Sequence, residues 1–495
     1  MEGTRKSRLK EIVDWVANKS EEKDLVQSNT YWIYGLPGIG KTSLAHSICA
    51  GLHDQGQLAG AFFCRRDVPK LSEPRNIFPT LIYKLAENFP PIRSSVANRL
   101  RNDPKLTSES MKESLLLDFF HNLPHSPSHF LVFVIDAFDE CGNHRSRPAL
   151  LRLLTSLAAR VSWLKIIITS RPEADIQQFF GRLPQSSYLR CDLATDQEAN
   201  RDLRTFAQSE FGQVAQRRQL SAPWPEEPLL DKLISRAGGL FIFIETLVLA
   251  LEDCADPTDF LKATSEEAGA GLKPLHALYS NILHSRIVHS NAEFPRMIGV
   301  LLTVAPYRAL CEETIGELAG VGPNLVKKWV KDLSSLLYRD EGTNGGIRVR
   351  HSSISDFFVG DDCPWEYRIN PQNANVQLGI ACLKTMISQL RFNICGLEDS
   401  RLANADVEDL PSRITENISD CLQYSSLYWS DHLCFTPDNH NWWLWEYLRE
   451  FFEGLYPLFW IEVLSILGMV PIGAPNIRKV ISWAKVSCSS NMYSG

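Results

Sequence analysis

Residues Tyr31-Trp32-Ile33-Tyr34 form a short apolar run, and Gly35-Leu36-Pro37-Gly38-Ile39-Gly40-Lys41-Thr42-Ser43 follow it directly. The order is strand, glycine-rich turn, then the start of a helix. The spacing Gly35-x4-Gly40-Lys41-Thr42 is the Walker A pattern in full. Gly35, Gly38 and Gly40 can take backbone angles that a Cβ would forbid, so the loop can curl with its N–H groups inward. Those amides, with the positive end of the next helix, make a nest for phosphate. Lys41 is expected to reach the β- and γ-phosphates, and the Thr42 hydroxyl to ligate Mg²⁺. The expected nucleotide-binding set is Gly35, Pro37, Gly38, Ile39, Gly40, Lys41, Thr42 and Ser43. The competing reading is a glycine-rich turn with no ligand, but strand, loop and helix all fall where the motif needs them.

The flanking pattern extends this into a domain. Leu58 to Phe63, Phe130 to Ile135, Leu164 to Ile168 and Ser187 to Cys191 read as further strands. Helical spacing separates them, as at Lys41–Leu52, Ile77–Ala86, Ile92–Arg101, Met111–Asn122 and Pro148–Arg160. Strands alternating with helices predict an α/β P-loop NTPase domain of three layers around a parallel sheet. Ligands in such sheets lie at the carboxyl ends of the strands. From about Thr195 the strand signals largely stop. Leu229–Glu252, Leu275–Val288 and Phe294–Val304 read as helices. Thr314–Leu318, Pro323–Leu337 and Gly346–Arg350 then read as helix, helix and strand, in winged-helix order. The expected divisions are an N-terminal helix and linker (1–28), an NTPase domain (29–194), a helical domain (195–290), a winged-helix-like domain (291–360) and a helical C-terminal region (371–495).

Charged residues cluster where the strands end. Asp136 closes the apolar run ending at Ile135, where a carboxylate would hold Mg²⁺ through water, opposite Thr42. Asp139 and Glu140 follow closely. A carboxylate that orients an attacking water is expected there, Glu140 first and Asp139 second. Taken alone, D-A-F-D-E reads equally well as an acidic loop capping a helix; the upstream Walker A loop favours the functional reading. Arg171 ends a strand expected to lie between the Walker A and Walker B strands, where its guanidinium could fork onto the γ-phosphate. The catalytic set expected is therefore Glu140, Asp139 and Arg171, and the metal set Thr42 and Asp136. His121, His125 and His129 have even spacing, but Pro124 and Pro127 break any helix that would align them as metal ligands.

The composition excludes several classes. A net charge of −7 with no long basic run argues against sequence-independent nucleic-acid binding. Twelve cysteines are scattered without a C-x-x-C pair, which suggests neither a zinc site nor a disulfide framework, and a cytoplasmic location is expected. The start of the sequence shows no apolar signal region. Leu455–Gly473 is the most apolar late run, but Glu462, Ser465, Pro457 and Pro471 interrupt it, so a buried core helix is expected rather than a membrane segment.

GLPGIGKTS, FVIDAFDEC and ITSRPE, in this order, resemble the NACHT domain of STAND-class signalling NTPases. The likeness is to the fungal NOD-like receptor type, with a nephrocystin-3-like N-terminal NTPase domain; FFCRRD and FPTLIYKLAENFP are similar to the same group. It covers roughly Gly3 to Phe358. The resemblance implies binding of ATP or GTP with Mg²⁺, slow hydrolysis, and a switch between a closed ADP- or GDP-bound form and an open oligomer. It implies partnership with related NACHT proteins and a role in fungal non-self recognition or cell death. It also implies that His351 touches the diphosphate, whose charge would favour a protonated ring, and that Gly3-Thr4-Arg5 lies near the base. Gly239-Leu240-Phe241 departs from the Gly-x-Pro of related receptors, which leaves that base contact open. Effector and repeat-sensor segments are not recognisable, so a non-hydrolysing adaptor that pairs with full-length relatives is the alternative function.

Overall fold

In the computed structural model, all residues are described except 1–4, 19–27, 103–119, 121–128, 267–270, 288–291, 436–441 and 492–495, and the single positions 197, 222, 253, 344 and 400. The expected helix at 111–122 and the histidines at 121 and 125 lie outside the described residues. The chain forms two compact units. One comprises Met1–Asn281 with His351–Ser353, and the other Ile282–Arg350 with Ile354–Gly495.

The first unit is built on a five-stranded sheet of β1 (Thr30–Tyr34), β2 (Leu58–Phe63), β3 (Leu131–Asp136), β4 (Leu164–Ser170) and β5 (Leu189–Asp192), in the order β2-β3-β4-β1-β5. All pairings are parallel. Every residue of β3 and β4 is buried, as expected of central parallel strands covered on both faces, and apart from Lys165 their polar residues, Asp136, Thr169 and Ser170, fall at the carboxyl ends. The helices of this unit are α1 (Lys6–Val16), α2 (Lys41–Asp54), α3 (Ile77–Asn88), α4 (Pro90–Asn102), α5 (Arg147–Arg160), α6 (Ala174–Gly181), α7 (Ala199–Arg218), α8 (Glu227–Ala237), α9 (Phe241–Glu252) and α10 (Pro257–Glu266). One further turn of helix spans Pro69–Ser72. Helix α11 (Lys273–Arg286) ends the first unit and opens the second. The sheet and loop show an α/β P-loop NTPase fold with a mostly helical remainder.

Helical periodicity had run on through 229–252, but the structure divides it. Gly238 and Gly239 take φ of 55° and 82°, so α8 ends in a left-handed glycine and α9 starts afresh at Phe241. Helix α1 is clamped to the sheet. Tyr31 donates its hydroxyl to Glu11 at 2.7 Å, and the Trp15 indole donates to Ser28 O at 2.9 Å. Lys165, fully buried on β4, donates to the Trp15 carbonyl and lies 4.5 Å over the Trp15 ring. These contacts fix the helix that begins just after Arg5.

The second unit contains α12 (Glu293–Val304), α13 (Glu312–Ala319), α14 (Pro323–Asp332), the antiparallel pair β6 (Leu337–Asp340) and β7 (Gly346–Val349), and α15 (Ser352–Val359), whose first two residues belong to the first unit. A helix reaching Leu337 was the sequence expectation. Instead α14 stops at Asp332, and Leu337 pairs with Val349. The remaining helices are α16 (Pro371–Gln389), α17 (Leu410–Asn417), α18 (Asp420–Cys434), α19 (Trp442–Glu453), α20 (Tyr456–Ile466) and α21 (Gly473–Asn491). The run 455–473 is not one core helix. Helix α20 buries Trp460, Val463, Leu464 and Ile466 but leaves Leu455, Leu458 and Ile461 exposed. Glu462 is tolerated because its carboxylate accepts the backbone N–H groups of Asn393 (3.2 Å) and Ile394 (3.0 Å). Among the described residues, no helix is long and apolar enough to cross a membrane.

Candidate functional site

The loop between β1 and α2 is shaped by two glycines. Gly38 and Gly40 take φ of 79° and 95°, a region that L side chains rarely adopt. A Cβ on Gly38 would come within 1.9 Å of the Ile242 side chain, which packs over the loop from α9. The Ile242 N–H donates to Gly38 O at 3.2 Å, so α9 is fastened to the loop through its first turn. Gly35 needs no left-handed backbone; there a Cβ would crowd Ile39 at 3.0 Å.

Lys41 is 9% exposed and folds back over the loop, donating to Gly35 O at 2.8 Å and Leu36 O at 2.9 Å. Burial pulls its ammonium down to about 8, against the attraction of Asp139, Asp136 and Glu140. At the tip of β3, burial pushes the Asp136 carboxyl up, while hydrogen bonds from Thr169 and Thr42 and the Lys41 charge hold it down. Thr169 donates its hydroxyl to Asp136 Oδ1 and accepts the Ala137 N–H at 3.0 Å, which fixes the turn that aims Asp136. The Thr42–Asp136 contact joins a hydroxyl and a carboxylate, the hard oxygen donors that suit Mg²⁺, beside a glycine cradle that suits phosphate.

Arg171 stands at the tip of β4, and β4 lies between β3 and β1 as expected. Asp139 holds it twice: Oδ1 accepts the Arg171 backbone N–H at 2.8 Å, and Oδ2 lies 3.2 Å from Nε. Asp139 is thus engaged in positioning Arg171. The carboxylate of Glu140 accepts the Arg66 N–H at 3.3 Å and a hydrogen bond from Ser352. Burial pushes the Glu140 carboxyl up, and the Arg66 charge opposes that. Arg66, from the FFCRRD stretch, went unassigned in the sequence; its role shows only because Cys64 N–H bonds Asp136 O at 3.0 Å and brings the two strand ends together.

His351 and its neighbours reach this same corner. Arg171 Nη2 donates to the Ser352 hydroxyl at 2.8 Å. His351 precedes α15, and its Nδ1 accepts the Ser353 N–H at 3.1 Å, an N-cap. The same Nδ1 lies 2.7 Å from the Ser353 hydroxyl, which leaves Nε2 as the ring nitrogen not engaged by this cap. Tyr279 on α11 fixes Ser353 through its hydroxyl at 2.8 Å.

A cleft of about 250 Å³ opens beside the loop, lined by Arg5, Leu9, Gly40, Ser43, Leu44, His46, Ser47 and Phe241. Arg5 is 5% exposed, pairs with Asp196, donates to Ile39 O at 3.1 Å and sits 5.9 Å over the Phe241 ring. Phe241, the first residue of α9, gives the cleft an aromatic wall. Of the three histidines, His129 is described, and its Nε2 lies 3.1 Å from Gly56 O.

This is the loop and sheet of a P-loop NTPase. Residues 10–171 match the family model described as nephrocystin 3, N-terminal. Among solved structures, a Walker-type ATPase of Pyrococcus abyssi is similar at 12% identity, covering 71% of this chain and 95% of that one, with a TM-score of 0.34. A STAND protein with a tetratricopeptide repeat sensor from Pyrococcus horikoshii matches at 14% identity, covering 97% of this chain and 63% of that one, with a TM-score of 0.38. The Orc1 protein of Aeropyrum pernix in complex with DNA is similar at 14% identity over 72% of this chain and 92% of that one, with a TM-score of 0.31. No curated protein matches.

Proposed function

We propose that the chain is a nucleotide-operated switch. It binds ATP or GTP with Mg²⁺, hydrolyses it slowly, and couples the bound nucleotide to assembly with related chains. The observation that carries this reading is the convergence of Lys41, Thr42, Asp136 and Arg171 with Ser352 at the carboxyl ends of β1, β3 and β4. Gly35, Pro37, Gly38, Ile39, Gly40 and Ser43 would cradle phosphate through the loop backbone. Thr42 and Asp136 would hold Mg²⁺, whose charge offsets that of the phosphates. Arg171 would meet phosphate charge, and His351 would donate from Nε2 to a diphosphate in the resting form. By its resemblance to NACHT proteins, the setting would be signalling in fungal non-self recognition, in the cytoplasm.

The geometry also favours low turnover. Asp139 is tied to Arg171, and Glu140 to Arg66 and Ser352, so neither carboxylate is poised to orient water while these contacts stand. A non-hydrolysing adaptor is the second reading. Titration calorimetry with Mg·ATP tests the first step: Lys41→Ala should weaken binding about ten- to a hundred-fold. Asp136→Asn should weaken it more with Mg²⁺ than without. Unchanged affinity in both variants would refute the phosphate site. Turnover that Glu140→Gln abolishes would separate switch from adaptor.

A further inference from the structure

Helix α20 presents an apolar face to solvent. Leu455, Leu458, Ile461 and Met469 are 63%, 61%, 50% and 37% exposed. With Ser465 between them, they recur every three or four residues, the spacing of one helical face continued past its end. The opposite face is packed through Trp460, Val463, Leu464 and Ile466. The segment between α16 and α17 is pinned alongside this face, because Asn393 and Ile394 bond Glu462 and Asn404 Nδ2 donates to Ser465 O at 2.7 Å. That segment brings Phe392 (78% exposed) and Leu402 (52% exposed). Contiguous exposed apolar surface of this kind marks an interaction site.

The charge around it selects the partner. No lysine or arginine occurs between Arg449 and Arg478, whereas Glu450, Glu453 and Glu462 do. Glu462 is consumed by backbone N–H groups. Asp406 and Glu408 border the patch beside Leu402, exposed and with no ion pair among the described residues. Nearby, Arg401 pairs with Asp399 and Arg413 with Asp409, while the exposed Arg391 beside Phe392 bonds neutral oxygens, Ile394 O and Asn417 Oδ1, at 3.4 Å each. The exposed acids Glu398, Asp406 and Glu408 outnumber it. An apolar stripe whose border is net anionic repels an anionic membrane, and it repels its own copy face to face, since the acidic borders would meet. It matches a helix with leucine-like residues on one face and lysine or arginine flanking them.

We propose that the exposed face of α20, with Phe392 and Leu402, docks a cationic amphipathic helix of a partner protein. The probe is a fluorescent 18-residue Leu/Lys amphipathic peptide, with an isosteric Leu/Glu peptide as control, titrated by anisotropy against the full chain. The Leu/Lys peptide should bind at least tenfold more tightly than the Leu/Glu peptide, and less tightly as salt rises from 50 to 200 mM. Leu458→Glu with Ile461→Glu should cut this affinity at least tenfold, while Mg·ATP affinity and the circular-dichroism melt report that the fold is kept. Asp406→Lys with Glu408→Lys leaves the apolar face intact and should invert the preference toward Leu/Glu. Equal binding of both peptides, or binding indifferent to both variants, overturns the proposal. Self-association in sedimentation velocity that Ile461→Glu abolishes would reassign the face to a second copy. Binding to phosphatidylserine vesicles that the same variant abolishes would reassign it to lipid.

Discussion

Arg171 donates from Nη2 to the Ser352 hydroxyl at 2.8 Å, and Ser352 in turn hydrogen bonds the Glu140 carboxylate. One hydroxyl thus engages both the arginine at the tip of β4 and the acidic residue after β3. A hydrogen bond from a charged donor contributes about 1.5–3 kcal/mol. Ser352→Ala should therefore leave Arg171 held by Asp139 alone and raise the rate of ADP exchange about tenfold or more, read with a fluorescent ADP analogue by stopped flow. An unchanged exchange rate would mean that the contact does not hold the resting form.

His351 has two separable tasks. Its Nδ1 caps α15 through Ser353, and its Nε2 is proposed to meet diphosphate. Asparagine caps helices well but lacks the second ring nitrogen. His351→Asn should melt near the wild type without ADP and lose most of the ADP-dependent rise in Tm. His351→Leu should lose both, the missing cap costing about 1 kcal/mol. If Asn restores the ADP-dependent rise as well, His351 is a cap alone.

Much of this corner was legible in the sequence. The Walker A spacing, the apolar run into Asp136 and the position of Arg171 each follow from short-range rules, and β4 falls between β1 and β3 as they require. What escaped was long-range. Nothing local says that Asp139 would be spent on Arg171, or that Ser352, some 180 residues away in the chain, would receive the guanidinium. Periodicity alone could not tell a continuous helix at 229–252 from two helices, because the left-handed turn at Gly238 and Gly239 removes so few residues from the pattern. The exposure of Leu458 and Ile461 also escaped, because apolar content reports burial only on average.

Glu462 supports the C-terminal helices through its two backbone N–H partners. Replacing it with a residue that suits an apolar run better should nonetheless harm the protein. Glu462→Leu leaves two donors without their acceptor, at about 1–3 kcal/mol each where they stay dry. A lower Tm by calorimetric scan is expected, and detergent should not restore it. A stabilised Glu462→Leu protein would show that the carboxylate does not serve this turn.

Lys41 gives the loop a pH dependence that nucleotide should erase. Burial holds the folded-state ammonium at about 8, against 10.5 in the unfolded chain. Between those values the unfolded chain binds a proton that the folded one has released, so stability rises with pH across this window. Below pH 8 both states are protonated, and the folded state bears the full cost of a buried charge; above 10.5 that cost is gone. Two and a half units correspond to about 3 kcal/mol. Lys165 is also drawn down to about 8 by burial and adds a rise of the same sign, so the wild-type curve alone cannot assign the effect. Lys41→Met removes one contribution and keeps the other. The stability of wild type minus that of Lys41→Met, from urea melts without nucleotide, should therefore climb by about 2–3 kcal/mol from pH 8 to pH 10.5. Saturating Mg·ADP should flatten the climb, because a phosphate beside the ammonium restores its normal affinity for the proton. A difference independent of pH without nucleotide would show that Lys41 is not held in the buried position over Gly35 and Leu36.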